Sequence, residues 1–423
     1  SRSAILLNIP GTPASAATAL DGFPMAKRGE AGHAIFLAVT VSAIGTLISV
    51  ICVLTLTPVL TGFALKFTSW EFFLLAVFGI MICGSLTSGG NALKGWISGI
   101  LGLIVAMVGM DTVNAYPRFS YGNVNLMSGI QLIPVMIGLF GFPEIVQSFT
   151  QVDAKVLQMT SFNMKKGFRT IARNWLAIIR SALIGVGVGI IPGVGEDVGG
   201  WLSYWASKSG SKDPDSFGKG NQLGLIYAET GNNACIGGAI IPVISLAVPG
   251  SSPAALLLAA FLMHGYRPGP LLMSESPEFV YQIAVYLVMA ALAMWLLALV
   301  IAKFSVKILG VNKKILMPIV YTLCVIGAFL INHNAFDVKM MVIFGLVGLA
   351  LRAVGIPSAP FLLGVILGPM ADANLRRALI ISNGSIAPMF GRPICVVFLF
   401  VIAFMILSQT GLLRLAKKLA RRP

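Results

Sequence analysis

Apolar residues along this chain gather in runs separated by short polar or basic stretches, and the runs have helix-like rather than strand-like spacing. Before the middle of the chain they cover Ala34 to Phe63, Trp70 to Cys83, Leu93 to Val108 and Ile130 to Val146. After it they cover Trp175 to Ile191, Phe279 to Ile301, Ile315 to Ile331, Met340 to Leu351, Phe361 to Met370 and Ile394 to Ser408. A segment of ~20 apolar residues reaches across a ~30 Å hydrocarbon core at 1.5 Å per residue, so most of these runs predict spanning helices. The run at Phe361 to Met370 is short, with Gly368-Pro369 at its end and the polar stretch ADANLRR after it. No ~10-residue alternating segments occur, so a membrane β-barrel is not predicted.

Two further stretches are apolar yet interrupted by helix breakers. From Gln222 to Pro270 the chain reads QLGLIYAETGNNACIGGAIIPVISLAVPGSSPAALLLAAFLMHGYRPGP. Pro249 and Gly250 end one helix, and Ser251, Ser252 and Pro253 are cap and first-turn residues for the next. That next helix is too short to span, which places its N-terminus at mid-membrane depth. Irregular backbone is tolerated there only when buried in protein or lining a wet cavity. The stretch Ser3 to Gly32 repeats this grammar, with Ile9-Pro10-Gly11-Thr12 in the place of Val248-Pro249-Gly250-Ser251. A third break lies at Pro192-Gly193.

The expected fold is therefore an all-α polytopic membrane protein of two repeated halves with Pro-Gly-broken helices or re-entrant hairpins, like an ion transporter. Residues 1–150 form the first half, 151–174 a basic cytoplasmic linker carrying Lys155, Lys165, Lys166, Arg169 and Arg173, and 175–423 the second half. The tail from Arg414 to Arg422 holds five basic residues and is expected on the same side. Only eight residues precede the first break. A matching repeat predicts a longer native chain with another Pro-Gly break upstream.

Composition agrees: 57% hydrophobic and 11% charged, with mean hydropathy +0.89. The net charge of +15 lies in short clusters between apolar runs, which points to membrane topology and not to nucleic acid. Cys52, Cys83, Cys235, Cys324 and Cys395 stand singly, without CxxC or histidine at ligand spacing, so no disulfide framework, metal site or other cofactor is expected. HExxH, GxSxG and P-loop lysine motifs are missing. GVGVGIIPG lies in a membrane helix and not after a soluble strand, so an enzyme is the weaker class.

Glu229 is the one acid inside the long broken stretch. An intramembrane ionisable group is by default functional, and the alternatives are a helix cap or a basic partner. Asn232 and Asn233 follow it, in a Gly/Ala-rich segment suited either to unwinding or to close helix packing. They are read as ligands for an ion or a substrate oxygen, or else as interhelical hydrogen-bonding groups. Glu196 and Asp197 sit where a first helical turn favours acids. Asp21, His264 and His333 are expected in loops or interfaces.

The motifs LLNIPGTPASAATALDGFPMAKRG, IPGVG, FGKGNQLGLIYAETGNNACIGGAIIP, VPGSSPAALLLAAFLMHGYRPGP and GIPSAPFLLGVILGP resemble, in this order, those of the large membrane subunit of tripartite tricarboxylate transporters. Departures are Ala247-Val248 before the second break, and Glu196-Asp197, which add negative charge near the expected anion site. The resemblance implies ion-driven uptake of a di- or tricarboxylate across a bacterial inner membrane, with a periplasmic binding protein and a small membrane subunit as partners. The backbone at Gly11, Thr12, Pro13 and Ala14 and at Gly250, Ser251 and Ser252, with Asn232, is expected to hold the carboxylates at half-helix N-termini. Asn233, Glu229 and Asn8 are expected to hold the coupling ion, Na⁺ or H⁺. A stand-alone organic-anion symporter and an integral membrane enzyme acting on a lipid-linked carboxylate are the alternatives.

Overall fold

In a computed structural model of the chain, residues 1–8, 12, 15–87, 91–111, 113–150, 164–301 and 313–409 are described, side chains at 148–150, 197 and 313–316 excepted. Gly11, Pro13 and Ala14 therefore lie outside the described residues. The principal helices in chain order are α1 (Arg2–Leu7), α2 (Ala16–Met25), α3 (Ala31–Ala64), α4 (Ser69–Thr87), α5 (Ala92–Ala106), α6 (Leu132–Met136), α7 (Phe142–Thr150), α8 (Met164–Arg173) and α9 (Trp175–Ile190). They continue as α10 (Gly195–Ser209), α11 (Gln222–Leu246), α12 (Ser252–Met263), α13 (Pro277–Val300), α14 (Lys313–Asn332), α15 (Ala335–Ala353), α16 (Ser358–Ile381) and α17 (Pro393–Gln409). Short π-helical turns, Ala26–Glu30 and Ile137–Gly141, join α2 to α3 and α6 to α7. One two-residue antiparallel ladder pairs Gly109 with Arg118 and Met110 with Pro117.

Among the described residues four helical stretches are long and apolar enough to cross a membrane: α2–α3, α4, α13 and α16. The pair α8–α9 is a fifth if counted as one span, although it bends by 71° at Asn174. The helix at Phe361 to Met370 is longer than its apolar run, because α16 continues through Pro369 to Ile381. A proline inside a helix removes one hydrogen bond. Here the polar continuation is held by a side-chain pair one turn apart, Arg376 Nε to Asp372 Oδ1 at 2.9 Å.

The chain divides into two compact units, each built from two separated segments. One takes in the described residues of 1–65 and 152–312, the other those of 66–151 and 313–423.

In the first unit α11 is the central helix, packed on α3, α9 and α10. Small residues let the backbones close up, as expected where lipid supplies no hydrophobic drive between helices. A Cβ on Gly185 would lie 2.2 Å from the Gly231 carbonyl oxygen, and one on Gly189 2.5 Å from that of Cys235, so α9 and α11 meet at near backbone contact. Gly45 of α3 is as close to Thr230. Ile5, Leu6, Met25, Phe36, Leu37, Leu225 and Ile226 fill the apolar cluster at one end of this bundle.

In the second unit α16 packs along α4 and α5. Gly99, Gly102 and Gly364 form the α5–α16 contact, and Gly84 of α4 meets Gly95 of α5.

Candidate functional site

Glu229, Asn232 and Asn233 stand at i, i+3 and i+4 of α11, so one helical face carries all three. Of the two readings of this segment, unwinding and close packing, the second holds: it is a helix to Leu246, closed by Ala247 in the left-handed conformation (φ 57°). Its backbone carbonyls are thus engaged in the helix, and any ligand must be met by side chains. That face looks into a cavity of about 560 Å³ bounded by Val39 and Ser42 of α3, Met294 and Ala298 of α13, and Arg2 at the start of α1.

The carboxylate of Glu229 is 1% exposed. Its Oε1 accepts from the Thr18 hydroxyl at 2.6 Å and its Oε2 from the Ser42 hydroxyl at 2.8 Å. Ser42 Oγ in turn accepts from Asn233 Nδ2 at 2.8 Å, and the same amide donates to the Glu229 carbonyl at 3.0 Å. The partners come from α2, α3 and α11, so three helices must dock before this chain of bonds closes. Glu229 has no cationic partner among the described residues. The Asn232 amide makes no hydrogen bond with described residues and is offered to the cavity. Opposite it the Arg2 guanidinium is anchored by a bond to the Ala298 carbonyl. The cavity therefore presents a cation, an amide and hydroxyls beside one buried carboxylate. Thr18, Ser42 and Arg2 were not anticipated; Ser42 sits in an apolar run that gives no local sign of its partner 187 residues away.

The remaining sequence-derived residues are placed elsewhere. Ser251 caps α12, its Oγ accepting from Ala254 N at 3.3 Å, with Ser252 and Pro253 in the first turn. Gly250 packs so closely that a Cβ would lie 2.1 Å from the Gly189 carbonyl oxygen and 2.7 Å from Ala239 Cα. Gly193 N donates to the Pro249 carbonyl at 3.3 Å, and a Cβ on Gly195 would meet that of Ser251 at 2.4 Å. The breaks at Pro192-Gly193 and Pro249-Gly250 thus meet each other. Gly250, Ser251 and Ser252 do not line the cavity around Asn232, nor does Thr12, which is exposed and closes a turn with Ser15. Asn8 is exposed at the end of α1 in the left-handed conformation (φ 56°). Glu196 lies in the first turn of α10, as its reading required.

Asp21 is a fastener. Fully buried, it accepts from Tyr204 Oη at 2.9 Å through Oδ2, and from the backbone of Gly218, Gly220 and Asn221 at 2.8 to 2.9 Å through Oδ1. Helix α2 is thereby tied to the loop that enters α11.

The second unit holds its own charged network. Arg118 donates to Asp372, which also receives Arg376, which in turn pairs with Asp111 at 3.0 Å. Asp111 Oδ1 accepts from Val113 N at 2.9 Å. This backbone bond, followed by the Arg376 and Arg118 charges, outweighs burial and holds the Asp111 carboxyl below its ordinary range.

A helical multi-pass bundle with polar groups converging on a cavity inside it defines a membrane transport protein. A family model described as "Tripartite tricarboxylate transporter TctA family" matches residues 1–363. The chain belongs to that family, a family of transporter subunits. It is 34% identical over 405 residues, 95% of this chain and 80% of the relative, to an uncharacterized 52.8 kDa protein in the TAR-I ttuC′ 3′ region of Agrobacterium vitis. It is also 34% identical over 207 residues, 49% of this chain and 86% of the relative, to an uncharacterized protein in the TAR-II ttuC′ 3′ region of the same organism. No solved structure matches it significantly.

Proposed function

We propose that the chain is the permease subunit of a binding-protein-dependent secondary transporter that carries a di- or tricarboxylate across the bacterial inner membrane, coupled to Na⁺ or H⁺. Family membership supports the transporter. The observation that carries the site is the cavity that Arg2, Asn232 and the Ser42–Asn233 pair line together with Glu229, which has no cationic partner among the described residues. A carboxylate substrate needs donors and a positive charge, which the Arg2 guanidinium and the Asn232 amide supply. Glu229 takes the coupling ion. A buried carboxylate flanked by the Thr18 and Ser42 oxygens offers hard ligands to Na⁺, and it equally has a place for a proton.

The breaks at Gly11-Thr12 and at Gly250-Ser251 belong to the same proposal as half-helix ends that exchange carboxylate contacts during the transport cycle, with Asn8 near the first. Substrate reaches the permease from a soluble periplasmic protein, and a small membrane subunit completes the assembly. Equilibrium binding of a panel of di- and tricarboxylates to the purified protein, with and without Na⁺ and across pH, tests the reading. Affinity that is equal in all ionic conditions, and unchanged by Glu229→Gln, would overturn it.

A further inference from the structure

A second cavity of the first unit lies away from the transport site. It has a volume of about 600 Å³ and is walled by the start of α9, the end of α10 and the start of α11. Its polar wall is Arg173, Asn174, Arg180, Ser207 and Tyr227, and its apolar wall includes Leu176 and Leu183. Arg180 is the unusual member. It sits about 8 Å along α9 from Trp175, on a helix whose outward residues Trp175, Leu176, Ile179 and Leu183 are otherwise apolar.

Neither Arg173 nor Arg180 has an ion-pair or hydrogen-bond partner among the described residues. The neighbouring carboxylates Asp213 and Asp215 do not reach them. A guanidinium on an apolar, lipid-facing surface is costly unless an anion meets it.

Helix α8 says which anion is at hand. It carries Lys165, Lys166, Arg169 and Arg173 within ten residues, with Met164 and Phe168 exposed, and it turns 71° away from α9. A basic amphipathic helix set across an apolar helix, with Trp175 at the corner, is the arrangement of a segment lying in the headgroup layer. Basic pockets between membrane helices on the cytoplasmic side accept anionic headgroups.

We propose that this cavity binds the phosphodiester of an anionic glycerophospholipid, with Arg173 and Arg180 on the phosphate, Asn174, Ser207 and Tyr227 on the glycerol or headgroup hydroxyls, and acyl chains along Leu176 and Leu183. Arginine suits this task because its planar fork meets two phosphate oxygens at once.

The test is native mass spectrometry and thermal unfolding of the detergent-purified full chain. The probes are phosphatidylglycerol, phosphatidylcholine of the same acyl composition, and inorganic phosphate. Phosphatidylglycerol should remain as a discrete adduct and raise the unfolding temperature, while phosphatidylcholine does neither. The exposed pair Arg173→Gln/Arg180→Gln should fold normally and bind the lipid roughly thirtyfold more weakly, as expected for two interfacial charges. Equal adducts with phosphatidylcholine, or undiminished binding by the double variant, would overturn the proposal. Equal protection by inorganic phosphate alone would also overturn it, assigning the cavity to a free oxyanion. Loss of the adduct on adding the small membrane subunit would identify a protein surface instead. If the variant does not fold, the three-ligand comparison on the unaltered chain still decides the matter.

Discussion

At Glu229 one side chain carries both the local architecture and the proposed coupling, and the two can be separated by substitution. Glu229→Gln keeps an oxygen to accept from Thr18 or Ser42 and removes the charge. The variant is expected to fold and bind substrate weakly, with the same affinity with and without Na⁺. Titration calorimetry in the two salts checks this. Asn233→Ala removes two hydrogen bonds, each worth about 1 kcal/mol in a membrane bundle, so the protein should remain folded while ion-dependent binding falls. Gly250 is not among the positive-φ residues, so its need for glycine does not lie in the backbone conformation. The reason is contact. A branched side chain at Gly250 would collide with the Gly189 carbonyl and Ala239, and Gly250→Val is expected to abolish uptake in reconstituted vesicles.

Among elements, Asp21 shows what one buried acid does for a helix. Asp21→Ala would leave three backbone N–H groups and the Tyr204 hydroxyl without their acceptor, and hydrogen bonds to a charged group are worth about 1.5–3 kcal/mol each. Faster proteolysis in the loop between Lys208 and Gly220, with a lowered unfolding temperature, is the expected outcome.

Much at this level was legible in the residues. Ser251-Ser252-Pro253 announced the start of α12, because cap chemistry is local. That Glu229, Asn232 and Asn233 share one face follows only once the segment is seen to be a continuous helix. The persistence of α16 past Pro369 was not legible, since what stabilises it includes an Arg118–Asp372 bond across 254 residues and an Arg376–Asp111 bond across 265. The pairing of the Pro192-Gly193 and Pro249-Gly250 breaks was hidden for a similar reason. Only tertiary packing brings two breaks of one kind together. The charged network itself is testable by pH. With its carboxyl lowered in the folded state, Asp111 contributes stability above its unfolded value of about 3.9 and loses it as pH falls through the folded value. The unfolding-temperature gap between the native chain and Asp111→Asn should therefore be open at pH 7 and close in acid below about pH 4.

For the whole molecule, the proposed dependence on a soluble partner gives a direct expectation. Vesicles containing the membrane subunits alone should accumulate little substrate, and adding the binding protein should restore uptake; full-rate uptake without it would refute the dependence. The interleaving of the two units has a consequence for biogenesis. Helices α1–α3 belong with a segment that ends near residue 312, and α4–α7 belong with one that begins there, so neither unit can be completed in simple order of synthesis. While the ribosome is still making α8 to α13, α4–α7 must wait in the membrane without their partners. Their small-residue faces, such as Gly99 and Gly102, lack α16 during that interval. A nascent chain released after residue 312 should therefore already protect Asp21 and Glu229 from solvent while α4–α7 remain open to insertion factors and proteases. Co-expressed halves divided between residues 151 and 152, where a segment of one unit ends and a segment of the other begins, should be able to assemble.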